Sequence, residues 1–138
     1  MHLAPWFLYS AVTAVAWGIV GLLQKLSTNH VSAESSLIWL VVGFLTLQPL
    51  LYPGPAVFHY SVMNLTWALV SGLLNALGAW ALFAALSHGG KASIVAPLTA
   101  LYPVLIIMLV PLVLHESVTR IQLAGVACAL AAVILLSA

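Results

Sequence analysis

The residues able to do chemistry in this chain are few, and they favour holding a molecule over transforming one. The chain contains no Asp, and its two acids, Glu34 and Glu116, fall at the ends of apolar runs, as do all five histidines. Nucleophilic or metal catalysis needs such groups to converge, so no catalytic residue is expected. What lies inside the apolar runs is uncharged. Ser10, Thr13, Trp17, Gly21 and Gln24 are spaced 3, 4, 4 and 3 apart, which puts them on one face of a helix. Such a stripe faces protein or water, either lining a cavity or making a close helix contact. Asn75 stands in the middle of another run, where an amide is costly unless bonded; it either joins two helices or meets a substrate. Trp80 lies five residues further on, inside the same run.

A third group sits between Lys91 and Glu116, in about two dozen residues without a charge. Pro97, Pro103 and Pro111 interrupt this run, and Thr99 and Tyr102 lie between the first two. Each proline lacks a backbone N–H and disturbs the helix around it. Lipid cannot satisfy a freed carbonyl, so such a span belongs where protein or a water-filled cavity surrounds it. The substrate path is therefore expected at Thr13, Trp17, Asn75, Trp80, Thr99 and Tyr102, with helix breaks at Pro97 and Pro103. Tyr and Trp supply flat apolar contact with a hydrogen-bonding tip.

The elements that position these residues follow from composition. Of 138 residues, 64% are hydrophobic and 4% charged, where a soluble domain carries about 25% charged. The mean hydropathy is +1.22. This is an all-α, multi-pass integral membrane protein, expected in the plasma (bacterial inner) membrane. Crossing a ~30 Å hydrocarbon core takes roughly 20 helical residues. Five spans fit, at about 5–26, 36–52, 65–87, 92–114 and 120–138, and they and their links fill a single domain, 1–138. No basic stretch precedes the first span, so it reads as retained and not as a cleaved leader. Ser27–Ser36 is expected as a polar loop, with Lys25 before it at the helix end, where its stem can snorkel and the C-terminal dipole favours a cation. Asn64 reads as a helix cap, Thr119 and Gln122 as a capping box, and Glu116 as a partner for Arg120. Gln48 beside Pro49 is a weaker polar pair near the end of span 2.

Span 5 is rich in small residues. Ala124, Gly125, Cys128 and Ala132 permit close helix contact and are expected at a dimer interface. Cys128 is the sole cysteine, which excludes an intrachain disulfide and a cysteine metal site. His2, His59 and His115 share one membrane side, but no His-x3-His or His-x2-Glu spacing supports a metal, and they read as facing solvent or headgroups. No cofactor and no nucleic acid is expected, since a basic patch is absent. Lys25 and Lys91 share one side; Arg120 and the terminal amine share the other. That balance sets no orientation by the positive-inside rule, so insertion both ways is expected.

Trp17-Gly18 followed by Lys25 resembles the first helix of EamA-type drug/metabolite transporters. The run Ala84-Ala-Leu86-Ser-His-Gly-Gly-Lys91-Ala-Ser93, then Ala96-Pro97-Leu98, Tyr102-Pro103-Val104, His115-Glu116 and Gln122-Leu-Ala-Gly125, is similar to that family's third to fifth helices. The resemblance covers most of the chain. It implies one five-helix unit, half of a transporter fold in which two such units form inverted repeats around a central path. A lone unit then needs a second copy, as an antiparallel homodimer, or another EamA-type unit. Small multidrug resistance proteins are a related precedent for antiparallel pairing, but this chain has no charge from Leu3 to Gln24, where those proteins place an acid. The function expected is transport of small metabolites or drug-like molecules by alternating access. The substrate is expected to be neutral, zwitterionic or amphipathic. The alternative is a non-transporting membrane subunit, or one half of a heteromeric transporter.

Overall fold

The computed structural model describes residues 5–137, with the side chains of Phe58 and Ser137 outside the description. His2 and Ala138 lie beyond it. Every regular element among the described residues is helical: α1 (Pro5–Thr28), α2 (Ala33–Leu51), α3 (Val62–Ser87), α4 (Ala92–Thr99), α5 (Tyr102–Val113) and α6 (Arg120–Ser137), with a short 3-10 turn at Gly54–Phe58. The fold is all-α. At 1.5 Å per residue α1 and α3 reach ~36 Å and ~39 Å, and α2 ~28 Å, all enough to cross a bilayer. Ala92–Val113 is a further apolar span of 22 residues made of two helices, and α6 is a shorter one. The chain divides into two compact units, 1–89 and 90–138.

Local chemistry sets the ends. Ser32 caps α2 by accepting the Ser35 N–H at 3.2 Å, so the helix begins before Ser36 and the polar link shrinks to four residues between Thr28 and Ala33. Asn64 is not a cap. Ser61 holds that position and accepts the Asn64 N–H at 3.3 Å, which starts α3 a turn early. After α3, Gly89 takes φ +95°, the left-handed geometry that ends a helix and that glycine adopts without strain. At α6 the capping box forms in both directions: the Thr119 N–H donates to Gln122 Oε1 at 2.7 Å, and the Gln122 N–H to Thr119 Oγ1 at 3.3 Å. Glu116 and Arg120 are not paired; no ion pair joins any described residues.

Burial is confined to one place. Among the described residues only Thr28, Ala33, Ser36, Phe83 and Leu86 are buried, and all lie at the end of the first unit where α1 and α3 finish and α2 begins. Trp6, Trp39, Leu50 and dozens of other large apolar side chains are exposed. In water that surface would aggregate; in lipid it is the solvated surface. The protein is therefore an integral, multi-pass membrane protein.

Replacing Phe83, 2% exposed, by Ala should destabilise the first unit by about 3 kcal/mol. Replacing Leu50, 80% exposed, should cost little. Unfolding in mixed micelles on titration with SDS compares the two. Equal costs would mean that the packed nucleus lies elsewhere.

Candidate functional site

In the first unit α1 and α3 pack side by side. Lys25, in the last turn of α1, donates from Nζ to the carbonyl of Leu86, in the last turn of α3, at 3.0 Å. The two helices are thus parallel, and their register is fixed to within about a turn. Counting back at 1.5 Å per residue puts Thr13 ~18 Å and Asn75 ~17 Å from that end, at nearly one level. Both are half a membrane thickness deep. The bond gives Lys25 a specific partner: its ammonium caps a carbonyl at the C-terminal end of α3, where the dipole favours a cation.

The polar stripe on α1 is largely self-satisfied. Ser10 donates to the Trp6 carbonyl at 2.8 Å and Thr13 to the Tyr9 carbonyl at 2.9 Å, the back-bonding open to hydroxyls in helices. Asn75 has no such option. Its amide is exposed and makes no hydrogen bond among the described residues. Trp17 is 59% exposed.

Trp80 is not aimed at the middle of the membrane. Its indole N–H donates to Glu34 Oε1 at 3.4 Å, in the first turn of α2. Ser27 and Ser36 share a hydrogen bond of 3.0 Å at the same end. Glu34 was invisible as a site residue in the sequence, where it sits in what reads as a loop; its partner is 46 residues away.

In the second unit the helix parts at Ala100–Leu101, between Pro97 and Pro103. Pro97 lies inside α4, and Pro103 in the first turn of α5, where a missing N–H costs nothing. The Thr99 carbonyl needs the N–H of residue 103, which proline lacks. The Leu101 N–H turns to Leu98 at 3.3 Å and the Val104 N–H to Leu101 at 2.9 Å, three residues back and not four. The Thr99 hydroxyl donates to the Ala96 carbonyl at 3.0 Å. Tyr102, half exposed, opens α5. Pro111 lies within α5 without ending it.

Beside the break runs an open, almost wholly apolar groove of about 300 Å³, lined by Ala100, Leu101 and Pro103 and, from α6, by Gln122 and Gly125. At 3.6 residues per turn Ala124 points away from this groove and Cys128 off to its side. The small residues of α6 nevertheless share one face: Ala124, Gly125, Cys128 and Ala132 lie within an arc of about 100°, all four are exposed, and Gly125 at its edge also borders the groove. Among the described residues no three His, Cys, Asp or Glu side chains gather as a metal site.

The sequence model of the EamA-like transporter family matches residues 4–138. An uncharacterised protein of Methanocaldococcus jannaschii is 29% identical over 126 residues, covering 91% of each chain, so the two are about equally long. No solved structure matches.

Pro103→Ala supplies the amide that the Thr99 carbonyl lacks. That new amide is expected to exchange slowly with deuterium, as a helix-interior amide does, with α4 and α5 joined. Fast exchange at 103 would mean that the break has another cause.

Proposed function

This chain belongs to the EamA-like transporter family, and on that premise we propose that it carries small metabolites or drug-like molecules along a path past Thr13, Trp17 and Asn75 in the first unit and Thr99 and Tyr102 at the α4–α5 break. Asn75 carries the reading. An amide with no partner, at mid-depth in a 26-residue apolar helix, costs free energy unless something bonds it during the working cycle. A substrate with a hydrogen-bonding group does so, and Thr13 and Trp17 on the neighbouring helix frame it. The break at Ala100–Leu101 offers carbonyl oxygens that lipid cannot satisfy, a second place for a polar group to bind. With no charge within these stretches, the substrate is neutral, zwitterionic or amphipathic.

A path between inverted repeats needs two units. The second is a further copy of this chain in the opposite orientation, or another EamA-type unit. The near-zero imbalance between Lys25 and Lys91 on one side and Arg120 and the terminal amine on the other permits both orientations. The archaeal relative, about as long as this chain, likewise has room for one unit. Ala124, Gly125, Cys128 and Ala132 on α6 are the surface assigned to the pairing, with Gly125 at the edge that also borders the groove.

Proteoliposomes holding the purified protein are expected to take up at least one of a panel of labelled neutral, zwitterionic and amphipathic metabolites. Asn75→Leu should lower that uptake at least ~10-fold while raising resistance to SDS unfolding by about 1 kcal/mol, because an unpaired amide is removed. Unchanged uptake, or a loss of stability, would contradict the role of Asn75.

A further inference from the structure

Side-chain hydrogen bonds between described residues tie the helices of the first unit and their link together: Lys25 to the Leu86 carbonyl at 3.0 Å, Ser27 with Ser36 at 3.0 Å, and Trp80 to Glu34 at 3.4 Å. All three lie at one end. Directly beneath and between them are the buried side chains Ala33, Phe83 and Leu86. Polar bonds at the rim and an apolar plug under them close this end, while along the rest of α1, α2 and α3 the large side chains stand exposed.

We propose that this end is a gate on the substrate path, shut in this structure by the three bonds. The chemistry of the bonds favours a latch over a clamp. Lys25 and Glu34 have opposite charges and sit at the same end, yet they do not pair with each other; His88 is the charged neighbour within electrostatic reach of Glu34. The ammonium binds a backbone carbonyl and the carboxylate an indole N–H. Opening this end breaks no ion pair among the described residues. Lys25, Ser27, Glu34, Ser36 and Leu86 stand in or beside the terminal turns of their helices, where water can replace a lost partner, and Trp80 reaches that end from about two turns inside α3. Lys25, Glu34 and Trp80 are thus positioning residues that set which end of the unit is closed, and Thr13 and Asn75 lie one plug's depth below. Calling the end a gate rests on the transport reading above; that it opens does not.

The test is a distance measurement on the full chain in nanodiscs. Spin labels are placed at Asn29→Cys and His88→Cys in a Cys128→Ala background; both positions are exposed on the two sides of the latch. A main short distance and a minor longer one are expected, since alternate states commonly hold about 0.1–10% of molecules. Lys25→Met, which keeps the apolar stem and removes the ammonium, should raise the longer population severalfold, and Trp80→Phe should do so more weakly. Ser36→Ala removes one hydroxyl and keeps the plug, so it guards against mere unfolding; it too should enlarge the second maximum. One short distance in the parent and all three variants overturns the latch, as does broadening in Lys25→Met without a second maximum in Ser36→Ala. Two distances in a protein that takes up nothing would count against transport and leave the latch standing.

Discussion

Lipid offers no hydrogen bonds, and this single constraint organises the molecule. Most hydroxyls within the helices answer it locally. Ser10, Thr13, Thr46, Thr66, Ser71 and Thr99 each donate to a carbonyl three or four residues back in their own helix. They therefore carry little information about where helices meet. What cannot be settled locally stands out: an amide at Asn75, the Thr99 carbonyl that Pro103 cannot serve, and two charges, Lys25 and Glu34. Each of these either finds a partner on another helix or waits for one.

The two units handle the constraint differently. The first brings its leftover polar groups to one end and buries five residues there, leaving Asn75 deep and unpaired. The second opens its backbone in mid-span, where α4 gives way to α5, and packs α4 against α6. A sealed end, an unsatisfied amide and a broken span are what a carrier requires: a closed side, a place to bind, and a segment able to rearrange. The family match over nearly the whole chain agrees with that reading at the level of membrane transport.

Local rules were legible in the sequence and tertiary ones were not. Thr119 and Gln122 stand three apart before an apolar run, and the capping box they form needs nothing else. Proline chemistry explains the parting at Ala100–Leu101, since the loss of one N–H acts on a carbonyl four residues away. Asn64 misled because Ser61, three residues earlier, is an equally good cap and starts the helix sooner. The helix end suited to Lys25 was legible, but its partner was not: that partner is 61 residues away and is a backbone oxygen, which every residue has. Trp80 reads as deep by counting along α3, but its ring reaches a carboxylate that belongs to another helix.

A transport path of the proposed kind needs a second unit of opposite orientation to complete the first. His59, exposed in the link between α2 and α3, reports the side directly. With Cys128→Ala and His59→Cys, intact cells are labelled with a membrane-impermeant thiol reagent before and after permeabilisation. About half of the protein labelled from outside means that both orientations coexist, as an antiparallel pair requires. Labelling that is all or none means one orientation, and contradicts a homodimer built on inverted copies of this chain.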